Sequence, residues 1–161
     1  MITSATVVAS SLGTHARKVT PAAGQRTDIT VSLVSGWFRV VNRRSGKALG
    51  VSGAGTADGG KIIRYTPSGA TDQQWRFLPH GDGSFRRAAR HSGEVLDSPG
   101  GSAQGIQLVQ RQDTDGDGDN QRWRLVDAGS GSYGLVNVGN GWCADVADGS
   151  TSDNSYENNK R

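Results

Sequence analysis

From residue 37 onward, short alternations of apolar and polar residues are broken at close intervals by glycine-rich turns. Phe38-Arg39-Val40-Val41 reads as a strand, Ser45-Gly46 as a hairpin turn, and Lys47–Val51 as the returning strand. A glycine-rich loop over 52–60 leads to a third strand, Lys61–Tyr65, and a polar loop to a fourth, Gln73–Phe77. The same order begins again at Phe85-Arg86-Arg87-Ala88-Ala89, continues through Ser92-Gly93, Glu94–Asp97 and Leu108–Arg111, and closes on Asn120-Gln121-Arg122-Trp123. A third start, Tyr133-Gly134-Leu135-Val136, reaches Asn140-Gly141-Trp142-Cys143-Ala144-Asp145. Phe38, Phe85 and Tyr133 lie 47 and 48 residues apart, and Gln73 and Gln121 lie 48 apart. A fixed period of this size signals stacked or ring-arranged supersecondary units. The helical period is absent, so the fold class expected is all-β, with four short strands per copy.

The copies run 38–84, 85–132 and 133–161, and the third is partial: its 29 residues fall about 19 short of a period of 48. Residues 1–36 stand outside the repeat and read as a linker or the end of a preceding domain with one strand, where Ile29, Val31 and Leu33 alternate with Thr30 and Ser32. An unfinished copy would leave unpaired strand edges. The 29–33 strand is one candidate to pack beneath the third copy and close it; a detached strand is the other. The polar tail from Ser150 to Arg161 shows no apolar alternation and is expected to have lost the pattern of the other copies.

Composition supports this picture. Hydrophobic residues make up 34% and glycine 24 of 161, a balance that suits many short strands and turns. The net charge of +3 comes from arginines spread through every copy, with no basic run longer than two. That pattern argues for a solvated surface and against a nucleic-acid partner. No apolar stretch approaches membrane-spanning length, and the first residues lack the basic start of a clear signal peptide.

The two Gln-x-Trp sites, Gln73-Gln74-Trp75 and Gln121-Arg122-Trp123, stand in register with the hairpins Ser45–Leu49 and Asn140–Val146 and with Ala57–Tyr65. On these residues, 37 to about 155 resemble the ricin-B-type β-trefoil lectins and related bacterial carbohydrate-binding modules. The resemblance implies a β-trefoil with an incomplete third repeat, with Trp75 and Trp123 in a shared core. It also implies one shallow sugar pocket per copy: an Asp ending the second strand, a Gln and an aromatic on the third, and an amide pair before the Trp. The chemistry is apt, because carboxylates accept hydroxyls, amides both donate and accept, and rings stack on apolar sugar faces.

Carried over, no copy is complete. The first has Tyr65, Asp72 and Gln73, but Gly50 where the Asp belongs. The second keeps Asp97, Gln110, Asn120 and Gln121, with Arg111 in the aromatic slot, either as a pocket wall or as a surface partner of Asp97. The third has Asp145, with Lys160 in the aromatic slot. Cys143 stands where the family often has a disulfide cysteine whose partner would fall at position 162; a buried thiol is the alternative.

Asp113, Asp115, Asp117 and Asp119 match the first half of a calcium loop, although Arg124 holds the place of its closing Glu. A solvated insertion and a Ca²⁺ site are both open readings. Catalysis has little support: Glu94 and Glu157 are the only glutamates, and His15, His80 and His91 have neither metal spacing nor a nucleophile partner. The function expected is non-catalytic binding of a polysaccharide or glycan, as an accessory module covalently attached to the catalytic domain of a secreted glycoside hydrolase or similar enzyme. A structural or protein-interaction domain that has lost sugar binding is the alternative.

Overall fold

The computed structural model describes residues 5–8, 36–100, 103–115 and 118–160. Its strands are β1 (Ala5–Val8), β2 (Arg39–Asn42), β3 (Ala48–Val51), β4 (Ile62–Tyr65), β5 (Trp75–Pro79) and β6 (Phe85–Ala89). They continue as β7 (Val95–Asp97), β8 (Val109–Arg111), β9 (Trp123–Gly129), β10 (Ser132–Asn137), β11 (Cys143–Val146) and β12 (Ser155–Lys160). The only helical pieces among the described residues are single 3₁₀ turns, two of which, Thr71–Gln73 and Asp119–Gln121, precede β5 and β9.

The register makes the three copies equivalent. Trp75 faces Ala89 and Trp123 faces Asn137, so the fourth strand of each copy pairs with the first strand of the next. Within a copy, the first strand reaches its own fourth through Phe38↔Trp75 and Phe85↔Trp123. These contacts give a ring in the order β1, β2, β5, β6, β9, β10. β1 completes it: Ala5 pairs with Asn42 of β2 and with Tyr133 of β10. The hairpins β3/β4, β7/β8 and β11/β12 cap one end. A barrel of first and fourth strands, capped by three hairpins about a pseudo-threefold axis, is a β-trefoil.

By this register Ala5 holds the place that Trp75 and Trp123 hold in the other copies. The expected strand over 29–33 lies outside the described residues, and the closing place belongs to Ala5–Val8. The tail differs from expectation as well. It forms β12, paired with both β11 and β4, although its inward residues are polar. The reason is that each finds a partner: Arg64 Nε donates to Glu157 Oε1 at 2.7 Å, and Asn159 Oδ1 accepts from Ile106 N at 2.7 Å.

Trp75, Trp123, Phe77, Ile62, Leu96, Leu108 and Leu135 form the core, and each indole donates to a backbone carbonyl, Leu49 and Leu96 respectively, at 3.0 Å. One core place is anomalous. Val40, Arg87 and Leu135 are equivalent, and Arg87 is wholly buried. Its guanidinium lies 4.5 Å from the centre of the Phe77 ring and 5.6 Å from that of Phe85, and none of its nitrogens has a hydrogen-bond partner. Burial pulls its pKa down to about 9.

On the pseudo-threefold axis the third strands meet, through Lys61↔Val109, Gln107↔Asn158 and Tyr156↔Ile63. Lys61, Gln107 and Tyr156 are therefore equivalent, yet they act differently. Lys61 and Tyr156 stack on each other outside, the ammonium 5.2 Å from the ring centre. Gln107 turns inward, and its Nε2 donates to the three equivalent carbonyls of Ile62, Leu108 and Glu157 at 2.8, 3.0 and 3.0 Å. One amide group thus joins all three copies. The Leu108 and Glu157 carbonyls also accept from the backbone N–H groups of Ile62 and Leu108, so Gln107→Ala strands neither and should cost about 0.5–1.5 kcal/mol, the net worth of a hydrogen bond. Lys61→Ala should cost far less, and thermal or denaturant unfolding of the two variants reads the difference.

Candidate functional site

The second copy builds a pocket of about 480 Å³, lined by Asp58, Asp97, Pro99, Arg111, Asn120 and Gln121 among others. Asp97 ends β7 and faces Val109 of β8, while Arg111 faces Val95, so Asp97 and Arg111 project from the same face of the hairpin. The 3₁₀ turn brings the amide pair to the carboxylate. Asp97 Oδ2 accepts from Asn120 Nδ2 at 2.7 Å and from Gln121 Nε2 at 3.1 Å. Asp97 is 1% exposed, and its second oxygen, Oδ1, has no hydrogen-bond partner. Burial raises its pKa, opposed by the two amides and by Arg111. One acceptor oxygen of this pocket-lining carboxylate is thus buried and unused by the protein.

Gln121 also accepts from Thr114 N and Oγ1, at 3.0 and 2.9 Å, and donates to Gln112 O at 3.0 Å, so its role is to tie the strand after Arg111 to the 3₁₀ turn. Gln110 does not line the pocket. It is fully buried, donates to the carbonyls of Gly55 and Ala57 at 2.9 and 3.0 Å, and accepts from Ser92 Oγ at 2.9 Å. Its place holds the loop of the first copy against the second. That loop supplies a residue the sequence reading missed, Asp58, whose Oδ1 accepts from Gln112 N at 2.9 Å. Arg111 pairs with Asp58 at 3.8 Å, and not with Asp97. Both partners are about half exposed, so the pair is weak and Arg111 stays available to a ligand.

The other two copies place the same slots differently. In the first, Tyr65 is 42% exposed beside Gly50, but a Cβ at Gly50 would lie 3.1 Å from Gln73 Cγ and 3.3 Å from Asp72 Oδ2. Gln73 accepts from Ser68 N at 2.9 Å and donates to Thr66 O at 3.2 Å, a structural tie like that of Gln121. In the third, Asp145 is nearly buried, and Lys160 Nζ lies 3.7 Å from its Oδ2. Cys143 is a free thiol whose pKa burial raises.

The described members of the acidic run turn to arginines. Asp113 and Asp115 contact Arg86, and Asp119 contacts Arg122; Asp117 lies outside the described residues. Among the described residues no group of three acidic, histidine or cysteine side chains is placed to hold a metal ion.

The trefoil thus carries a buried, half-satisfied carboxylate in a polar pocket. A family profile described as "Ricin-type beta-trefoil lectin domain-like" matches residues 24–111 and 88–157. The chain belongs to that family. No curated protein matches. Among solved structures, the designed threefold-symmetric protein ThreeFoil is 43% identical with a TM-score of 0.74, over 78% of this chain and 89% of its own. An exo-β-1,3-galactanase from Clostridium thermocellum is 30% identical with a TM-score of 0.71, over 75% of this chain and 26% of the enzyme. The Macrolepiota procera ricin B-like lectin in complex with lactose shares the fold, at 20% identity and a TM-score of 0.65, over 77% of this chain and 84% of the lectin.

The third copy carries a pH-dependent contribution to stability. Burial raises Glu157 to about pKa 7 against the opposing charge of Arg64, with Asp145 adding to the rise. The folded state therefore holds this proton more tightly than the unfolded chain. The stabilisation is full below the ordinary pKa of about 4.5 and is lost as pH rises through about 7. Asp97 and Glu94, also raised, act in the same direction. Glu157→Gln mimics the protonated carboxyl, so it should leave stability at low pH nearly unchanged. It should also flatten the fall in unfolding free energy between pH 4.5 and 7, as read by urea melts across that range.

Proposed function

We propose that the protein is a non-catalytic carbohydrate-binding module that holds a sugar in the pocket of its second copy. The observation that carries this reading is the pocket-lining carboxylate of Asp97, held in place by the amides of Asn120 and Gln121, with its buried Oδ1 left without a partner. A sugar hydroxyl donating to that oxygen supplies the missing hydrogen bond. Arg111 offers a planar donor at the wall, and Asp58 offers a further acceptor at the rim. Family membership supports the reading, as does the lactose complex of the Macrolepiota procera lectin. The galactanase, a quarter of whose chain is matched, supports an accessory role beside a catalytic domain on a secreted polysaccharide-degrading enzyme.

A glycan array followed by calorimetry with lactose and galactan fragments tests the reading. The wild-type chain should bind at least one glycan in the micromolar to millimolar range. Asp97→Ala should weaken that binding about 10- to 100-fold, the worth of a hydrogen bond to a charged acceptor. Arg111→Ala, which leaves the carboxylate in place, should cost several-fold. Binding should also fall as pH drops through the raised pKa of Asp97, because protonation removes the charged acceptor. Binding that survives Asp97→Ala in a folded variant would put the site elsewhere; no binding to any glycan would favour the interaction-domain alternative.

A further inference from the structure

The outer wall of the barrel is finished differently in the first two copies. Phe38 and Trp75 exchange backbone hydrogen bonds of 2.8 Å, and Trp75 faces Ala89. These three side chains belong to the core, so Trp37, Arg39, Gln74, Arg76 and Arg90 alternate outward along the lines of β2, β5 and β6. The guanidiniums of Arg76 and Arg90 lie over the Trp37 indole, 4.6 and 5.5 Å from its ring centre. Arg90 Nη1 also donates to Gln74 Oε1 at 2.7 Å. Arg39 stands opposite Gln74 by the antiparallel count from Phe38↔Trp75. Among the described residues no carboxylate pairs with Arg39, Arg76 or Arg90.

The second copy carries three arginines on the same plan and answers every one of them. Arg86, Arg124 and Arg122 are the equivalents of Arg39, Arg76 and Gln74. Arg86 meets Asp113 and Asp115, Arg122 meets Asp82 and Asp119, and Arg124 meets Asp82. Two of these acids have neutral counterparts in the first copy. Thr71 opens the 3₁₀ turn where Asp119 does, and Pro67 precedes the N–H donor to Gln73 as Asp113 precedes the donor to Gln121. Trp37 in turn stands where the second copy has Ser84. An indole holds the planes of two guanidiniums without cancelling their charge. The first wall is thus a preformed cluster of cations without the carboxylates that its twin supplies for itself.

We propose that this wall binds an acidic polysaccharide, one whose sugar rings carry carboxylates. Guanidiniums take carboxylates in paired, planar hydrogen bonds, and carboxylates are the groups that satisfy the matching arginines of the second copy. A nucleic acid would draw on a longer basic stripe than three arginines. An acidic peptide would find no ladder edge here, because β2, β5 and β6 have partners on both sides. The wall shares no residue with the pocket of Asp97 and does not rest on that reading.

The test is affinity electrophoresis and calorimetry of the full chain with polygalacturonate, with neutral galactan and poly-glutamate as comparators. Polygalacturonate should bind at low ionic strength and weaken markedly by about 0.15 M salt, as exposed charges are screened. Arg76→Gln should weaken it about three- to fivefold, the worth of an exposed charge pair, and Arg76→Gln with Arg90→Gln about tenfold or more. Arg124→Gln removes the same charge from the equivalent place, where Asp82 already answers it, and should change binding less than about twofold. Any affinity for neutral galactan should be the same in all these variants. The proposal is overturned if polygalacturonate does not bind at low salt, or if the double variant, folded by its melting curve, binds it unchanged. Equal losses from Arg76→Gln and Arg124→Gln would reduce the effect to net charge, and poly-glutamate binding as tight as that of polygalacturonate would make the wall a surface for acidic peptides; either result also overturns it.

Discussion

The barrel must close, and no copy can close it alone. The fourth strand of each copy finds its long ladder with the first strand of the next, five matched positions between β5 and β6 in one case. A single copy would expose both edges and one face of an unfinished core, which is why the repeat is stable only as a ring. The cap obeys the same rule by another device. Three third strands converge on the axis, where Gln107 turns inward and serves all three carbonyls while Lys61 and Tyr156 stay outside. Symmetry of the backbone is kept through asymmetry of the side chains.

The strand pattern was legible where burial and polarity agree. The 15-residue spacing from Gly50 to Tyr65 put Lys160 in the slot of Tyr65, and the register agrees, with Lys160 opposite Cys143 as Tyr65 stands opposite Ala48 and Arg111 opposite Val95. Boundaries shifted by a residue or two, since the Gln of each Gln-x-Trp lies in a 3₁₀ turn and the strand begins at the Trp. Legibility failed where an inward place is polar. Glu157 and Asn159 hide β12 from any count of apolar alternation, because their partners, Arg64 and Ile106, lie far away in sequence. Arg87 fails in the same way, since nothing local marks that arginine as a core residue. β1 carries no Gln-x-Trp, so its role shows only in the register.

The site was half legible for a related reason. Asp97 and its amides follow from position within one copy, but Asp58 enters from the loop of the copy before. What brings it there is Gln110, whose amide holds the Gly55 and Ala57 carbonyls, together with the bond from Gly59 N to Gln110 O at 2.8 Å. A residue with the right name in the right slot therefore proved to be scaffold, and the pocket wall it supports was the unseen part.

Comparison of the three slots explains how the second copy differs from the other two. In the second copy the carboxylate stands at Asp97 and the neutral amide at Asn120, so they bond. In the first copy the acid has crossed over: Asp72 occupies the place equivalent to Asn120, and glycine the place equivalent to Asp97. Asp72 Oδ2 would lie 3.3 Å from a Cβ at Gly50, so an aspartate there would set two like charges against each other. The third copy keeps Asp145, but it sits near the buried Glu157 and within reach of Lys160, which engages one of its oxygens from inside the chain. A carboxylate serves a ligand only while the protein holds it in place and leaves one oxygen unanswered. Asp97 meets both conditions.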